Sequence, residues 1–334
     1  MRHVTALMLC ATVYTMPICF NRQSRAAEYE FAEIVVLPWG DGTNELKIQL
    51  PSYSDVNNTP EDPSDDFLED PGAGPDQGFV DRFENVYFSS YGLAYLKGFD
   101  NSGRLFVDFS GGQLNGDTGI FRGTVDKFYV DSQTRIYILG FPPTNYVAVV
   151  DTAGNLLDKL NPKGLDSQVN ICAMFFNSND LITLVCCNKE MYLYDKGDFT
   201  PGSSVGWRTS NGDYYGATAS DSSHIRFVSS RNPGLDGRSP SLNEHFVPLE
   251  SHVLTAGLLG ADDDMGLYVY ALQRHKRMLV QQYDTEFNLH AEIILLSGEN
   301  KYRRYLRPFV RADGTIYEFR CLDDGLHVIR WSDE

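Results

Sequence analysis

The sequence lacks the short motifs that identify most metalloenzymes and cofactor-dependent enzymes. It contains no HExxH, no paired CxxC, no P-loop and no dinucleotide-binding fingerprint placed after a strand. Its six cysteines are too few, in 334 residues, for a disulfide-dense scaffold. Cys172 and Cys187 would lie diagonally across one predicted hairpin, which is a poor geometry for a bridge, so buried thiols are expected. Catalytic residues stay unassigned.

Basic residues are scarce as well, since 28 Lys and Arg stand against 45 Asp and Glu and give a formal net charge of −17. A surface this acidic repels the phosphate backbones of DNA and RNA. We therefore expect no nucleic-acid partner. Solubility alone is an equally good explanation of the charge.

Long hydrophobic runs are confined to the start of the chain, where residues 4–20 are largely apolar. The small residues Ser24 and Ala26 then suit signal peptidase, so residues 1–27 are predicted to be a secretory signal peptide. An uncleaved membrane anchor is the alternative, although Pro17 makes a marginal span. We expect a secreted or periplasmic protein with no stable membrane span after cleavage.

Helical periodicity is absent, because no segment keeps apolar residues at a spacing of about 3.6 over more than two turns. Instead, an apolar segment, a short polar turn and a second β-rich segment recur, as in a β-hairpin. The copies are FVDRFENVYF at 79–88, YVDSQTRIYI at 129–138, MFFNSNDLIT at 174–183, TASDSSHIRF at 218–227, GADDDMGLYV at 260–269 and VRADGTIYEF at 310–319. Six similar hairpins predict six structural repeats.

The repeats are evenly spaced, about 46 residues apart, which suits the roughly 40–50 residues of a four-stranded propeller blade. The residues that open the second strand of each hairpin are Val86, Ile136, Ile182, Ile225, Leu267 and Ile316. A further turn, FDNSGRL at 99–105 and its counterparts, suits the connection between third and fourth strands. We predict an all-β, six-bladed β-propeller over residues 28–334, in which the N-terminal strand at 31–38 closes the last blade.

The hairpin copies, the closing ADGTIYEF and the opening VVLPWGDG together resemble secreted bacterial six-bladed propellers of the NHL-like type. The resemblance covers residues 31–332. It implies a fold more than a function, because such propellers include sensors, scaffolds, lectin-like binders and a few enzymes.

The loops on one face of such a propeller are long and varied, and there we expect ligand binding. Two basic groups fall on that face, with aromatic residues that could stack on a sugar or pack a partner. The candidate ligand-binding residues are Arg274, Lys276, Arg303, Arg304, Arg307, Trp207 and Tyr215. Their expected partner is a carboxylated or sulfated glycan or an acidic protein. Salt bridges to nearby acids and ordinary core packing are the alternatives.

A ring of polar residues just before the predicted innermost strands is a candidate metal site. Its members are Asp76, Asp126, Asn170, Asp213 and His252. They could hold calcium at the tunnel mouth, as in the calcium-dependent propeller lactonases and esterases that this architecture resembles. The acidic segment 51–77, with eight carboxylates and no basic residue, is a second place for calcium. Polar residues lining a wet tunnel, and a solvated acidic loop, are the alternatives.

These observations favour an exported binding or interaction module that engages a protein or glycan through its long-loop face. The alternative is a metal-dependent hydrolase or lyase of the lactonase or esterase kind, whose ion at the tunnel mouth would polarise a carbonyl oxygen. A structural subunit of a larger complex is not distinguished from the first of these by the sequence.

Overall fold

The computed structural model describes residues 29–49, 52–54, 67–70, 74–90, 92–109, 125–140, 145–165, 169–176, 180–188, 191–195, 197–201, 207–209, 213–230, 242–249, 252–264, 266–273, 278–295 and 306–333. For 52–54, 67–70, 125–126, 201, 207–208, 242 and 333 it describes the backbone alone. These residues form 26 β-strands and include no helix, so the fold is all-β. The predicted signal peptide lies outside them. Nowhere in this described part is there a helix with the length and hydropathy needed to cross a bilayer.

The first half of the chain forms antiparallel groups of four strands, in which each strand pairs with the next in sequence. A strand and a small hairpin come first, namely β1 (Tyr29–Pro38), β2 (Ser52–Ser54) and β3 (Phe67–Asp70). The first group is β4 (Gln77–Val80), β5 (Val86–Ser90), β6 (Tyr95–Phe99) and β7 (Leu105–Asp108). The second is β8 (Val125–Val130), β9 (Ile136–Gly140), β10 (Val147–Val150) and β11 (Leu156–Leu160). The third is β12 (Ile171–Phe176), β13 (Ile182–Cys186), β14 (Met191–Asp195) and β15 (Asp198–Pro201).

The second half continues the pattern, but its next two groups share one sheet. The fourth group is β16 (Trp207–Arg208), β17 (Tyr214–Asp221), β18 (His224–Ser230) and β19 (Leu242–Pro248). The fifth is β20 (Val253–Ala261), β21 (Leu267–Gln273), β22 (Met278–Tyr283) and β23 (Leu289–Ile294). The two are joined where Thr218 on β17 pairs with Gly257 on β20. The last three strands are β24 (Phe309–Val310), β25 (Ile316–Cys321) and β26 (Gly325–Asp333).

The two ends of the described chain meet in one sheet, whose strand order is β1-β26-β25-β24. β1 pairs with β26 antiparallel, from Tyr29 opposite Asp333 to Pro38 opposite Gly325. Just beyond β1, the indole Nε1 of Trp39 donates a hydrogen bond to a backbone oxygen in the β25–β26 turn, at 2.6 Å. The first strand is therefore held by both backbone pairing and a side chain.

The predicted register holds in five of the six groups, where the anchor residue opens the second strand. The fourth group departs from it, because Ile225 lies in the third strand, β18. β17 runs antiparallel to both β16 and β20, and the backbone N–H of Val253 bonds the carbonyl of Ser222 at 2.8 Å. The first strand of this group is thus the two-residue β16, so the predicted placement of the 218–227 hairpin was wrong by one strand.

The first strands of the groups converge, which makes the arrangement propeller-like. β24, β4, β8 and β12 lie side by side, and β20 lies beside β24. The ring of Phe79 on β4 lies 4.6 Å from that of Phe309 on β24 and 5.9 Å from that of Phe176 on β12. Tyr129 on β8 stacks on Phe176 at 4.5 Å. Aromatic rings from four groups therefore fill one side of a common axis.

A repeated aspartate fixes the turns after first strands. Asp81 accepts hydrogen bonds from the backbone N–H groups of Phe83 and Asn85 at 2.8 and 2.9 Å, and from the hydroxyl of Tyr87 at 3.0 Å. Asp131 and Asp262 occupy the same place in the second and fifth groups. In tight turns, side-chain oxygens of this kind accept hydrogen bonds from nearby backbone N–H groups. Because each such turn needs an aspartate at the same position, the hairpin pattern recurs in the sequence.

The third group contains a disulfide that the sequence argument did not expect. Cys172 and Cys187 are bonded, with Cα atoms 5.2 Å apart, inside the usual range for a bridge. A bulge between Ile171 and Ala173 shifts the β12–β13 register at Cys172 and removes the unfavourable diagonal geometry. The prediction of thiols was therefore wrong for this pair and right for Cys186 and Cys321, which are buried thiols.

Candidate functional site

A cavity of about 430 Å³ lies where the third, fourth and fifth groups meet, a size typical of small-ligand sites. Residues of β12 and β13 face residues of β17, β20 and β21 across it, and Arg307 lies just before β24. We call it the axial cavity. Its lining residues are Phe175, Phe176, Leu181, Thr183, Gly216, Ala217, Thr218, Thr255, Ala256, Gly257, Leu258, Tyr270 and Arg307.

The axial cavity owes its space to small side chains on two neighbouring strands. β17 contributes Gly-Ala-Thr at 216–218, and β20 contributes Thr-Ala-Gly at 255–257. The two segments run antiparallel, with Thr218 opposite Gly257. β4, β8 and β24 place aromatic rings near the axis, whereas these segments of β17 and β20 place only the small side chains of glycine, alanine and threonine there. The cavity is therefore a property of the fourth and fifth groups.

Arg307 lies at the cavity wall beside the ring of Tyr270. A Cβ added to Gly257 would lie only 2.9 Å from Cε1 of Tyr270, so glycine is what lets the buried ring approach the β20 backbone. The guanidinium carbon of Arg307 lies 5.2 Å from the centroid of the same ring, within the range of a cation–π contact. Gly257 and Arg307 thus both lie close to the ring of Tyr270.

Arg307 gives the axial cavity its charge. It is the only charged residue in the described lining, and its side chain is exposed. Within the described ranges no carboxylate forms an ion pair with it, whereas nearby Arg311 is paired with Asp313 and donates to the hydroxyl of Tyr317 at 3.1 Å. A guanidinium with available donors beside apolar walls is suited to binding an anion, above all a carboxylate.

A smaller recess of about 210 Å³ lies at the end of the axis where β4, β8 and β24 end and the turns to the second strands begin. Its floor is made of the aromatic rings described above. We call it the turn-end recess. Its lining residues are Phe79, Val80, Asp81, Arg82, Tyr129, Val130, Asp131, Ser132, Phe176, Asp180, Phe309, Val310, Arg311 and Ala312.

The carboxylates of the turn-end recess are occupied by internal hydrogen bonds. Asp131, like Asp81, accepts from two backbone N–H groups, one side chain and a tyrosine hydroxyl. Asp180 accepts from the hydroxyl of Tyr129 at 2.6 Å and from Ser132. Burial, followed by the nearby Asp180 charge, raises the pKa of Tyr129 well above its ordinary range. These carboxylates therefore hold the turns of the recess in place.

The predicted ligand-binding residues have different outcomes. Arg307 lies in the axial cavity. Tyr215 is only 6% exposed, and its ring packs against Phe287, so it belongs to the core of the fourth and fifth groups. Trp207 is described in its backbone alone, as the first residue of β16. The remaining four, Arg274, Lys276, Arg303 and Arg304, lie outside the described residues.

The predicted metal-binding residues do not form a described cluster. Asp76 and Asn170 use backbone groups to extend strand pairing, and Nδ1 of His252 lies 3.1 Å from the hydroxyl oxygen of Ser222. Asp213 lies in the β16–β17 connection, ahead of a second strand rather than an innermost one, which corrects its predicted place. The side chain of Asp126 lies outside the described atoms. Across the described ranges, no three His, Cys, Asp or Glu side chains come close enough to hold a metal ion.

Tyr270 and the small residues of the axial cavity were not predicted from the sequence. Tyr270 sits in an ordinary β-rich segment, and nothing local distinguishes it from the other buried tyrosines. The signal that could have found the site is the pair of short segments Gly-Ala-Thr at 216–218 and Thr-Ala-Gly at 255–257. Small residues inside predicted strands commonly mark a close approach of another backbone or a ligand.

Comparison with known proteins gives no family. No known family model matches the chain, and no curated protein sequence matches it.

Three solved structures with a similar chain path illustrate what it resembles. Virginiamycin B lyase from Staphylococcus aureus is 12% identical with a TM-score of 0.43, covering 82% of each chain. The calcium-binding protein regucalcin from Agrobacterium tumefaciens is 13% identical with a TM-score of 0.45, covering 78% of this chain and 91% of that one.

The third structure is a member of the DUF4221 family from Bacteroides vulgatus. It is 12% identical with a TM-score of 0.49, and the match covers 92% of this chain and 99% of that one. At identities this low, a resemblance concerns the fold alone.

Proposed function

We propose that this chain is an exported six-bladed β-propeller that acts as a binding module, with the axial cavity as its ligand site. One observation carries the proposal: Arg307, an exposed cation, lies within cation–π distance of Tyr270 at the wall of a cavity whose described lining is otherwise uncharged. An acidic glycan, or an acidic group of a protein partner, would find there both a counter-charge and apolar surface.

The blade count in this proposal rests on the strand groups. Five successive groups of four strands, together with the sheet formed by β24, β25, β26 and β1, would make six blades in which the first strand completes the last. The shared sheet of the fourth and fifth groups fits the same count. Because β16 has only two residues, β17 extends past it and meets β20 directly.

Export is supported by the disulfide between Cys172 and Cys187. Such bonds persist in oxidising compartments and are rare in the cytosol, which agrees with the signal peptide predicted at 1–27. Mass spectrometry of the protein from fractionated source cells tests this part. We expect an N terminus near residue 28 in the secreted or periplasmic fraction. A cytosolic protein that retains Met1 would contradict export.

The binding role is tested with immobilised acidic and neutral polysaccharides. We expect the wild-type protein to bind a polyuronate more tightly than its neutral counterpart, and Arg307→Gln to weaken that binding at least tenfold by removing the only described cation of the cavity. Arg82→Gln is the matched control, because its guanidinium also lies over a ring, that of Phe83 at 4.6 Å, but at the turn-end recess. Equal binding by Arg307→Gln and wild type would refute the assignment.

A further inference from the structure

We infer that the axial cavity takes the terminal residue of a carboxylated sugar chain, with the sugar carboxylate on Arg307. This inference rests on the proposed binding function and narrows it, since the sequence left an acidic protein, a sulfated glycan and a carboxylated glycan open. Three properties of the cavity support it: its size, the form of its cation and the chemistry of its walls.

The size of the cavity limits how much of a ligand can enter. About 430 Å³ holds one or two sugar rings and is far too small for the surface of a folded protein, whose contact area would extend over 20–30 residues a side in a typical interface. The side chain of Phe176 lies in the lining of both the axial cavity and the turn-end recess. Its ring stacks on Tyr129, so it separates the two spaces. We therefore take Phe176 as the wall against which the end of a bound sugar chain stops.

The cation is arranged for a planar anion. The guanidinium carbon of Arg307 lies 5.2 Å from the centroid of the Tyr270 ring, and a guanidinium presents its N–H donors along the edges of its plane. A carboxylate can accept two parallel hydrogen bonds from such an edge. A single arginine also matches a single negative charge, which is what one uronic acid residue carries. A multiply sulfated chain would leave charges without a described partner inside the cavity.

The walls combine hydroxyl groups with apolar surface, as sugar rings do. The hydroxyl of Thr218 makes one long bond of 3.4 Å, to its neighbour's backbone oxygen. The hydroxyls of Thr183 and Thr255 form no hydrogen bond among the described residues. Phe175, 54% exposed, and Leu258 supply apolar surface for the C–H faces of a ring. Fixed polar groups scattered over an apolar wall are the usual means of orienting a polyhydroxylated ligand.

Calorimetric titration with defined oligosaccharides tests the inference. The probes are the methyl glycoside of galacturonic acid, the di- and tetragalacturonates, the methyl ester of the monomer and an acidic hexapeptide. We expect the affinity to reach its full value by the disaccharide, and to fall at least tenfold for the methyl ester, which cannot pair with Arg307. Leu258→Trp, which fills the cavity and leaves Arg307 in place, should abolish binding of the monomer. Thr218→Val should weaken it several-fold, and melting curves establish that each variant is folded.

The outcomes separate this inference from the function it rests on. An affinity that keeps rising from the di- to the tetragalacturonate, or is unchanged in Leu258→Trp, while still requiring Arg307, would overturn the terminal-residue inference and leave the binding module standing. Tighter binding of the hexapeptide than of any galacturonate would overturn the sugar class. If Arg307→Gln bound every one of these probes as tightly as wild type does, both the terminal-residue inference and the proposed binding function would be overturned.

Discussion

On one side of the axis, β4, β8, β12 and β24 bring the rings of Phe79, Tyr129, Phe176 and Phe309 into contact. On the other side, β17 and β20 bring mainly glycine, alanine and threonine, with Leu258 as the one larger side chain they contribute to the described lining, and the axial cavity remains. Both sides belong to the same all-β arrangement. The difference lies in side-chain volume and not in backbone architecture.

We expect the two sides of the axis to have different roles, one in stability and the other in binding. Rings that are buried and in mutual contact contribute stability through burial and edge-to-face packing. Small residues contribute less stability but leave room for a ligand, and they allow Thr218 and Gly257 to pair across two groups. We therefore expect substitutions on the filled side to change the free energy of unfolding, and substitutions on the open side to change binding.

The largest effect is expected from Phe79→Ala. Phe79 is 4% exposed and touches rings from all the neighbouring first strands of the filled side. Truncating a buried phenylalanine costs about 3–5 kcal/mol, and urea denaturation followed by tryptophan fluorescence measures it.

Thr255→Ala is the control on the open side, where an exposed hydroxyl should cost no more than about 0.5 kcal/mol. A similar loss of stability in both variants would show that the two sides are not distinct. We also expect Phe79→Ala, under conditions where it is folded, to keep its affinity for a polyuronate.

The next largest effect concerns the third group, which borders both sides. Cys172 and Cys187 are separated by 15 residues in sequence, and closing a loop of that length stabilises a fold by about 3 kcal/mol. Dithiothreitol should therefore lower the stability of the wild-type protein by about that amount. The Cys172→Ala/Cys187→Ala double variant should be insensitive to the reagent, while Cys321→Ala should respond like wild type. The bond would be contradicted if a thiol reagent labelled both Cys172 and Cys187 in wild-type protein that had been unfolded without reduction.

On the open side, Gly257→Ala should reduce both binding and stability. The new methyl group would meet Cε1 of Tyr270 at 2.9 Å, and overpacking of this kind costs about 1–3 kcal/mol. Because Arg307 stacks on that ring, its displacement should also weaken binding of a galacturonate about tenfold. Combining Gly257→Ala with Tyr270→Leu should recover stability but not binding. Unchanged binding in Gly257→Ala would mean that the stack does not position Arg307.

The smallest effect is expected at His327, which lies outside both regions on β26. Its Nδ1 is 2.5 Å from Glu33 on β1, and its Nε2 is 2.9 Å from Asp324. Burial of the ring lowers its pKa, but the hydrogen bonds to Glu33 and Asp324 outweigh burial, so the folded pKa is raised above 6.5. Stabilisation by the charged ring is therefore fully present below about pH 6.5 and is lost as the pH rises through the raised folded value.

Melting curves across this range should show wild-type stability falling slightly with rising pH relative to His327→Gln. The effect is small because the side chains of Glu33 and Asp324 are 51% and 69% exposed. His290→Gln, which removes an exposed histidine beside Asp284, is the control. Identical pH profiles for wild type and His327→Gln would contradict the raised pKa.

The sequence predicted the features that local patterns encode. Five of the six anchors open the second strand of their group. Turns such as those of Asp81 and Asp131 could be predicted because their hydrogen bonds join residues only two to six apart. The turns between third and fourth strands were predicted for the same reason. Asp151, for example, bonds the N–H groups of Ala153 and Asn155.

What depends on distant residues was missed. The two residues of β16 are too few to read as a strand, so the fourth group was shifted by one. A bulge at Cys172 cannot be seen in an alternating pattern, so the disulfide was not expected. The axial cavity arises from 216–218 and 255–257 together with Arg307, and only the folded chain brings these segments to one place.

The central claim is that an acidic ligand occupies the open side of the axis. A crystal structure of the protein grown with the methyl glycoside of galacturonic acid tests it most directly. We predict density for the sugar between β12, β17 and β20, with its carboxylate paired to Arg307 and its ring against the threonine hydroxyls. Density for the sugar in the turn-end recess, or on the outer surface with the axial cavity empty, would contradict the account.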